Sequence, residues 1–121
     1  MGRSRDLHGN APDQCPLAVL FVDVANRFAF PRGEELARRA APVAGRLARL
    51  GQLARAHKVP CIFVNDNLGR WRSSFPEVIA GCREPDSAGK RVIERLLPEP
   101  RDYFVLKPKH SGFYATCLDL L

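Results

Sequence analysis

The chain has 121 residues, of which 45% are hydrophobic and 26% are charged. These values are typical of a single soluble globular domain and argue against a disordered, collagen-like or repeat protein. The net charge of +6 would suit an anionic partner, but the basic residues are spread over a predicted helix and several loops. Because no nucleic-acid motif or aromatic stacking surface accompanies them, a solvated helix face explains the charge better, and we expect no nucleic-acid partner.

Membrane and metal chemistry are also disfavoured by the sequence. No apolar run approaches the ~20 residues that a membrane-spanning helix needs, and the N-terminus lacks the pattern of a signal peptide. The four cysteines are far apart and form no C-x-x-C pair, so the sequence indicates neither a zinc site nor a redox motif. We therefore predict a cytoplasmic protein with no membrane partner and no cofactor.

Residues 1–15 mix glycine, asparagine, proline and charged residues without periodicity, which predicts a flexible leader ahead of one domain over residues 16–121. The domain opens with an apolar run, Leu17–Val22, that stops at the carboxylate of Asp23. A run of this kind predicts a strand buried on both faces, as in a parallel sheet covered by helices. Ligands bind beyond the carboxyl ends of such strands, so Asp23 is a candidate functional residue.

A long amphipathic helix follows, with apolar residues recurring at spacings of three and four. Pro42 falls inside it and predicts a kink or a restart. Cys61–Val64 predicts a second buried strand, and the order strand, helix, strand predicts a right-handed crossover between parallel strands. The predicted core stripe of the helix is Leu36, Ala40, Val43, Leu47, Leu50 and Ala54.

The C-terminal third predicts shorter elements. Lys107 should complete the third strand, because Pro108 disfavours helical geometry in the residue before it. Ser111 is the predicted N-cap of the last helix. The predicted elements are a helix over Pro76–Cys82, an amphipathic segment over Gly89–Leu97, a strand over Asp102–Leu106 and a helix over Phe113–Leu121.

Polar groups stand at the ends of all three predicted strands: Asp23, Asn65 with Asp66, and Lys107. If the strands are parallel neighbours, these groups emerge at the same edge of the sheet. A carboxylate and an ammonium that meet there form either a structural ion pair or a base that a cation holds ionised and oriented. The residues alone leave these two interpretations open.

Four segments carry a resemblance to a known family: Phe21–Phe28, Val59–Asp66, Val105–Phe113 and Thr116–Leu121. Taken in order, they resemble the isochorismatase-like cysteine hydrolases, and the likeness runs from about Pro16 to the last residue. The resemblance implies a Rossmann-like parallel sheet flanked by helices, a three-layer α/β/α fold, which ends here before the family's nucleophile strand.

The family acts through an Asp, Lys and Cys triad. The resemblance implies that Asp23 is the base that accepts the thiol proton and that Lys107 orients this carboxylate and stabilises developing charge. Phe28 matches an aromatic residue of the family and is predicted to form a wall of the substrate pocket. The predicted pocket also includes Asn65, Asp66 and Trp71.

The chain departs from the family pattern in two places. Ala25 and Arg27 stand where the family often has Gln and Asp, which changes the polarity of the predicted pocket. Asp66 is followed by Asn67 and Leu68, without the histidine through which one branch of the family binds a metal, so the resemblance implies no metal.

None of the four cysteines, Cys15, Cys61, Cys82 and Cys117, has the setting of the family's nucleophile, which follows a strand and opens a helix. We therefore predict a hydrolase of small amide-type or related substrates whose nucleophile lies outside this sequence, and a 121-residue chain that is inert alone. The alternative is a non-catalytic binding or interaction module of the same fold, and a homo-oligomer is left open. A nucleotide-binding Rossmann half is disfavoured, because no glycine-rich loop follows the first strand.

Overall fold

The computed structural model describes residues 15–67, 73–108 and 110–121. The predicted leader, apart from Cys15, and the predicted pocket residue Trp71 lie outside these ranges. The described elements are β1 (Val19–Val22), α1 (Gly33–Ala56), β2 (Cys61–Asp66), α2 (Phe75–Cys82), α3 (Lys90–Ile93), β3 (Tyr103–Lys107) and a 3₁₀ turn (Leu118–Leu120).

The three strands form one parallel sheet in the order β1-β2-β3. The apolar strand β2 is central and is buried along most of its length, as expected for a parallel sheet. Val22 pairs with Val64 at the end of β1, and Asp66 pairs with Lys107 at the end of β3. The predicted α/β class, a parallel sheet flanked by helices, is therefore confirmed, and the strand ends meet at one edge.

One face of the sheet carries the main core, in which Phe21 and Phe63 lie with their ring centroids 5.0 Å apart. Helix α1 packs on them through small side chains, which allow its backbone to approach closely. The predicted stripe of α1 is right in part: Ala54 is buried and Ala40 and Leu47 pack against the main core, whereas Leu36, Val43 and Leu50 are exposed. The buried positions of α1 are Gly33, Ala37, Ala41, Ala44, Gly51, Ala54 and Arg55.

Two further expectations for α1 are corrected. The helix is continuous through Pro42, so the predicted restart is absent. Arg55, expected on a solvated face, is buried and donates two hydrogen bonds to the Asp102 carboxylate, at 3.0 and 2.6 Å. The hydrogen bonds that Arg55 donates to Asp102 raise the pKa of Arg55 above its usual range. This ion pair ties α1 to the start of β3.

The shorter helices follow the sequence prediction more closely. Ser74 caps α2, its hydroxyl accepting from the Glu77 amide while the Glu77 carboxylate accepts from the Ser74 amide. This reciprocal capping box fixes the start of the predicted helix. Helix α3 is only one turn, shorter than the predicted segment over Gly89–Leu97. No helix in the described ranges is both long and apolar enough to cross a membrane.

The opposite face of the sheet is covered unevenly. Leu118 packs on Ile62, Val64 and Val105. This cover stops short of β1, where Leu20 is exposed, so the prediction that the first strand is buried on both faces is wrong. The strand is half-buried because only the α1 side of it is packed.

The predicted helix over Phe113–Leu121 is also wrong, since the structure has only the 3₁₀ turn there. The Thr116 hydroxyl donates to the Gly112 carbonyl, and such local side-chain bonds compete with helical ones. Leu118 is buried, but Phe113, Tyr114 and Leu120 are exposed, so this segment buries too little apolar surface to stabilise a helix. Ser111 accepts from the Phe113 amide in a local turn instead of capping a helix.

Candidate functional site

The backbone turns sharply at Asp23, the first residue after β1. Its amide still donates to the Val64 carbonyl of β2 at 2.9 Å, which continues the strand pairing by one bond. Its φ angle is 57°, in the left-handed region that non-glycine residues rarely occupy. A backbone outlier of this kind is typical of functional sites, where the surrounding structure maintains the strain.

Lys107, the last residue of β3, meets this carboxylate. Its ammonium nitrogen Nζ lies 3.0 Å from Asp23 Oδ1 and 3.2 Å from Oδ2, and it also donates to the His110 carbonyl at 3.0 Å. The Lys107 side chain is 4% exposed, whereas that of Asp23 is 52% exposed. A buried cation thus holds a carboxylate that solvent, or a small ligand, can reach.

Asn65 of β2 fixes the chain just beyond Asp23. Its side-chain oxygen accepts from the Ala25 amide at 3.0 Å, and its amide nitrogen donates to the Ala25 carbonyl at 2.9 Å and to the Asp66 carbonyl at 3.1 Å. Asn65 is 2% exposed. Both backbone groups of Ala25 are therefore bound to one buried side chain.

The backbone that follows Asp23, residues 24–29, is here called the site loop. Two glycines let the starts of helices α1 and α3 approach it closely. A Cβ atom on Gly33 would lie 1.9 Å from the Phe28 carbonyl oxygen, and one on Gly89 would lie 1.6 Å from the Asn26 carbonyl oxygen. Any side chain at either position would displace the loop. The site loop is therefore seated directly against the starts of α1 and α3.

Arg27 fastens the same loop to the end of α2. Its guanidinium donates to the Gly81 carbonyl, to Glu84 and to Asp86, at 2.9, 2.6 and 2.9 Å. The hydrogen bond to Glu84 is the main cause that raises the pKa of Arg27. Arg27, one of the two residues that depart from the family pattern, thus makes ion pairs with Glu84 and Asp86 just beyond α2.

Two other predicted pocket residues, Phe28 and Asp66, lie in the described ranges. Phe28 is half-buried, has a φ of 56° and packs against the edge of the main core. Asp66 pairs in register with Lys107 and is half-buried at the end of β2. The structure therefore brings Asp23, Lys107 and Asp66 to one edge, with Phe28 at the end of the site loop, whereas Trp71 lies outside the described residues.

The four cysteines all lie in the described ranges, and none of them hydrogen-bonds to Asp23 or Lys107. Cys61 stands at the opposite end of β2, about 13 Å along the strand from the pair. Burial raises the pKa of Cys61 and of Cys82 above the usual value of 9.0, which disfavours the reactive thiolate. Cys117 is exposed beside the 3₁₀ turn, and Cys15 precedes β1.

No group of three or more His, Cys, Asp or Glu side chains with metal-binding geometry occurs within residues 15–67, 73–108 and 110–121.

Sequence reasoning missed the residues that hold the site loop. The sequence predicts Asn65 at the correct edge of the sheet, but as a residue of the substrate pocket. Its contact with Ala25 depends on the turn at Asp23. Gly33 and Gly89 precede helical segments in the sequence, which is the one signal that they carry. Only the packed structure shows that they contact the same loop.

Comparison with known proteins finds relatives over most of the chain. A family model described as "Isochorismatase domain" matches residues 17–121. An uncharacterized isochorismatase family protein, YaaI of Bacillus subtilis, is 36% identical over 86% of this chain and 56% of its own length. The ureidoacrylate amidohydrolase RutB of Methylobacterium radiotolerans is 29% identical over 90% of this chain and 52% of its own length.

A solved structure shares the fold. The crystal structure of N-carbamoylsarcosine amidase from Thermoplasma acidophilum superposes with a TM-score of 0.56 and 27% sequence identity, over 85% of this chain and 58% of that one. The chain thus spans about half the length of the curated relatives it matches. With the family match over residues 17–121 and the close relative from Bacillus, the chain belongs to the isochorismatase family.

Proposed function

We propose that this chain carries the base and the lysine of a cysteine hydrolase site that acts on a small amide-type substrate. The observation that supports the proposal most strongly is the Asp23–Lys107 pair, a buried ammonium within 3.0 Å of a half-exposed carboxylate. Two relatives are named as an amidohydrolase and an amidase of small carbamoyl or ureido compounds, which suggests the substrate class.

In the proposed reaction, Asp23 accepts the proton of a cysteine thiol as the sulfur attacks the substrate carbonyl carbon. The C–N bond then breaks, and the leaving nitrogen takes that proton from Asp23. Water next attacks the thioester carbonyl carbon and gives a proton to Asp23. The C–S bond breaks, the acid leaves, and the cysteine sulfur takes that proton back from Asp23. Lys107 remains charged throughout and holds the carboxylate towards the reacting atoms.

We further propose that the nucleophile is none of the four cysteines in this sequence. Cys61 and Cys82 are buried thiols with raised pKa values, and no cysteine in the described ranges bonds to the pair. Purified protein of this length should release no ammonia from N-carbamoyl amino acids or small primary amides above the rate of buffer. Sustained release that Cys117→Ser or Cys15→Ser abolishes would contradict this assignment.

A second candidate function is a non-catalytic binding or interaction module. The observation that favours it is the exposed outer face of β1, an apolar surface at a sheet edge that pairs with no other strand in the described ranges. Sequencing the coding DNA beyond the codon for Leu121 separates the two. An open frame that encodes a strand and then a cysteine at a helix start supports the hydrolase, whereas a stop codon supports the module.

A further inference from the structure

The Asn65 side chain makes three hydrogen bonds, all to backbone groups. Both N–H groups of its amide are used, by the carbonyls of Ala25 and Asp66, and its oxygen accepts from the Ala25 amide. A flipped amide would set a donor against the Ala25 amide and an acceptor against two carbonyls, so only one orientation satisfies all three contacts. The side chain is buried and has no N–H left for a substrate.

These bonds replace strand pairing where the backbone turns away. Val22 pairs with Val64, and the Asp23 amide still donates to the Val64 carbonyl. Beyond that point the backbone leaves the sheet, and the Asn65 side chain takes over the role of the neighbouring strand by binding Ala25. Asp23 thus lies between two anchors on β2, with only Val24 between it and the second anchor.

We propose that Asn65 is a positioning residue that holds the Asp23 backbone in its left-handed conformation and so keeps the carboxylate on Lys107. This inference rests on the proposed function of the Asp23–Lys107 pair. It assigns Asn65 a role behind the site in place of the substrate contact predicted from the sequence. A side-chain amide is required because the site needs an acceptor and two donors on one planar group.

Nuclear magnetic resonance of the 121-residue chain tests this without any need for turnover. The intraresidue contact between the Asp23 amide and Hα protons is strong at positive φ, and the Lys107 ammonium protons report the ion pair. In Asn65→Ala, we expect the intraresidue contact that marks the positive φ of Asp23 to weaken. The Lys107 ammonium protons should exchange about tenfold faster, as expected if Lys107 loses its hydrogen bond to Asp23. Unchanged signals from both residues in the folded variant would overturn the proposal.

Two controls separate positioning from general stability. Ser87→Ala removes a buried hydroxyl that has no hydrogen-bond partner among the described residues, and it should change neither signal. Ala44→Gly lowers stability within α1, away from the site, and it should lower the melting temperature while both signals persist. Loss of the signals in Ala44→Gly, well below its melting temperature, would mean that they report stability and would overturn the inference.

A second variant decides the matter if Asn65→Ala does not fold. Asn65→Asp keeps an acceptor for the Ala25 amide and removes both donors, so exchange of the Lys107 ammonium protons should still accelerate. Unchanged exchange would overturn the proposal.

The proposed function is tested separately by substrate binding at Lys107. If the substrate bound but Asn65→Ala left the Asp23 and Lys107 signals unchanged, only the positioning role would be refuted. If Asn65→Ala changed those signals but no substrate bound, only the hydrolase site would be refuted.

Discussion

Asp23 combines three features that rarely occur together in one residue. It has a left-handed backbone, an amide bound to the central strand and a carboxylate shared between solvent and a buried ammonium. A non-glycine residue in this conformation costs about 1 kcal/mol or more, which the surrounding hydrogen bonds must offset. Phe28, Arg32, Lys58 and Ala115 have the same conformation, so it is the coincidence with the Lys107 ion pair that supports the proposed role of Asp23.

The pair should be energetically coupled, which a double-mutant cycle can measure. Asp23→Asn leaves the Lys107 ammonium buried without its counter-charge and should lower the free energy of unfolding by about 1–2 kcal/mol. Lys107→Met removes the charge and keeps an unbranched chain. In the double variant, the Asp23→Asn change should cost less than it does alone, as urea unfolding would show. Strictly additive losses would mean that the two residues do not interact.

The buried thiols make stability depend on pH in the alkaline range. Burial raises the pKa of Cys82 above 9.0, so the folded protein keeps a proton that the unfolded chain loses as the pH rises past 9.0. The unfolded state then binds fewer protons, and the free energy of unfolding should fall with increasing pH above that value. We expect urea midpoints at pH 10 to fall less in Cys82→Ala than in the parent chain.

The exposed thiol of Cys117 provides the matched control for that measurement. Cys117→Ala should retain the full alkaline loss of stability. If Cys82→Ala and Cys117→Ala changed the pH dependence equally, burial of Cys82 would not be its source.

For single residues, the sequence predicted the Asp23–Lys107 pair but not the hydrogen bonds that hold the backbone beside it. Asp23 and Lys107 follow apolar runs, and parallel pairing brings the ends of such runs together, so their meeting could be inferred from patterns. The bonds of Asn65 arise from a turn that departs from strand geometry, and no periodicity encodes it. The burial of Arg55 was missed for a related reason, because its partner Asp102 is 47 residues away in the sequence.

At the scale of elements, the site loop is a short segment enclosed by three helices. Gly33 begins α1 and Gly89 precedes α3, and each glycine contacts a carbonyl of the loop. Arg27 adds ion pairs to the end of α2. The starts of α1 and α3 thus determine where the site loop can lie. The position of the loop in turn determines the direction of the Asp23 side chain.

Gly89→Ala tests this seating with little backbone strain, since the φ of Gly89 is −69° and suits alanine. The new methyl group would lie 1.6 Å from the Asn26 carbonyl oxygen, so the loop must move. We expect a loss of about 1–3 kcal/mol in unfolding free energy, as for other overpacked sites. Amide chemical shifts of Asp23 and Lys107 should change as well.

Gly45→Ala is the control for the effect of alanine itself. A Cβ atom at Gly45 meets nothing within 4 Å, so the change should stabilise α1 by about 0.5–1 kcal/mol. Equal effects of the two variants would show that contact with the site loop is unimportant.

The element-level errors of sequence reasoning share one cause. Three larger residues of the predicted α1 stripe, Leu36, Val43 and Leu50, are exposed, whereas the sheet accepts Ala37, Ala41 and Ala44, because small side chains let the helix lie closer. The final helix was predicted from its cap and composition, but nothing in the described ranges covers Phe113 and Tyr114. Packing partners decided both cases, and local sequence does not reveal them.

At the scale of the whole molecule, the two faces of the sheet differ. Helices cover one face, while on the other face the described C-terminal segment packs over β2 and β3. Leu17, Leu20 and Val22 are exposed, and the outer edge of β1 pairs with no strand in the described ranges. Exposed apolar residues at a free edge favour association with other chains.

We expect the isolated chain to associate as its concentration rises, and Leu20→Lys to reduce that association. A charged side chain on an edge strand opposes strand pairing between molecules. Sedimentation velocity at several concentrations measures the effect, and Arg49→Lys on the exposed face of α1 serves as a charge-neutral control. If Leu20→Lys sedimented like the parent chain at every concentration, association would not involve this face.

The central claim is that Asp23 and Lys107 form the part of a hydrolase site that handles a small amide. Titration of the chain with an N-carbamoyl amino acid, followed through the Lys107 ammonium and the Asp23 amide resonances, tests it most directly. We predict saturable shifts at both residues that Asp23→Asn abolishes. Shifts that are absent, or that survive Asp23→Asn unchanged, would contradict the claim.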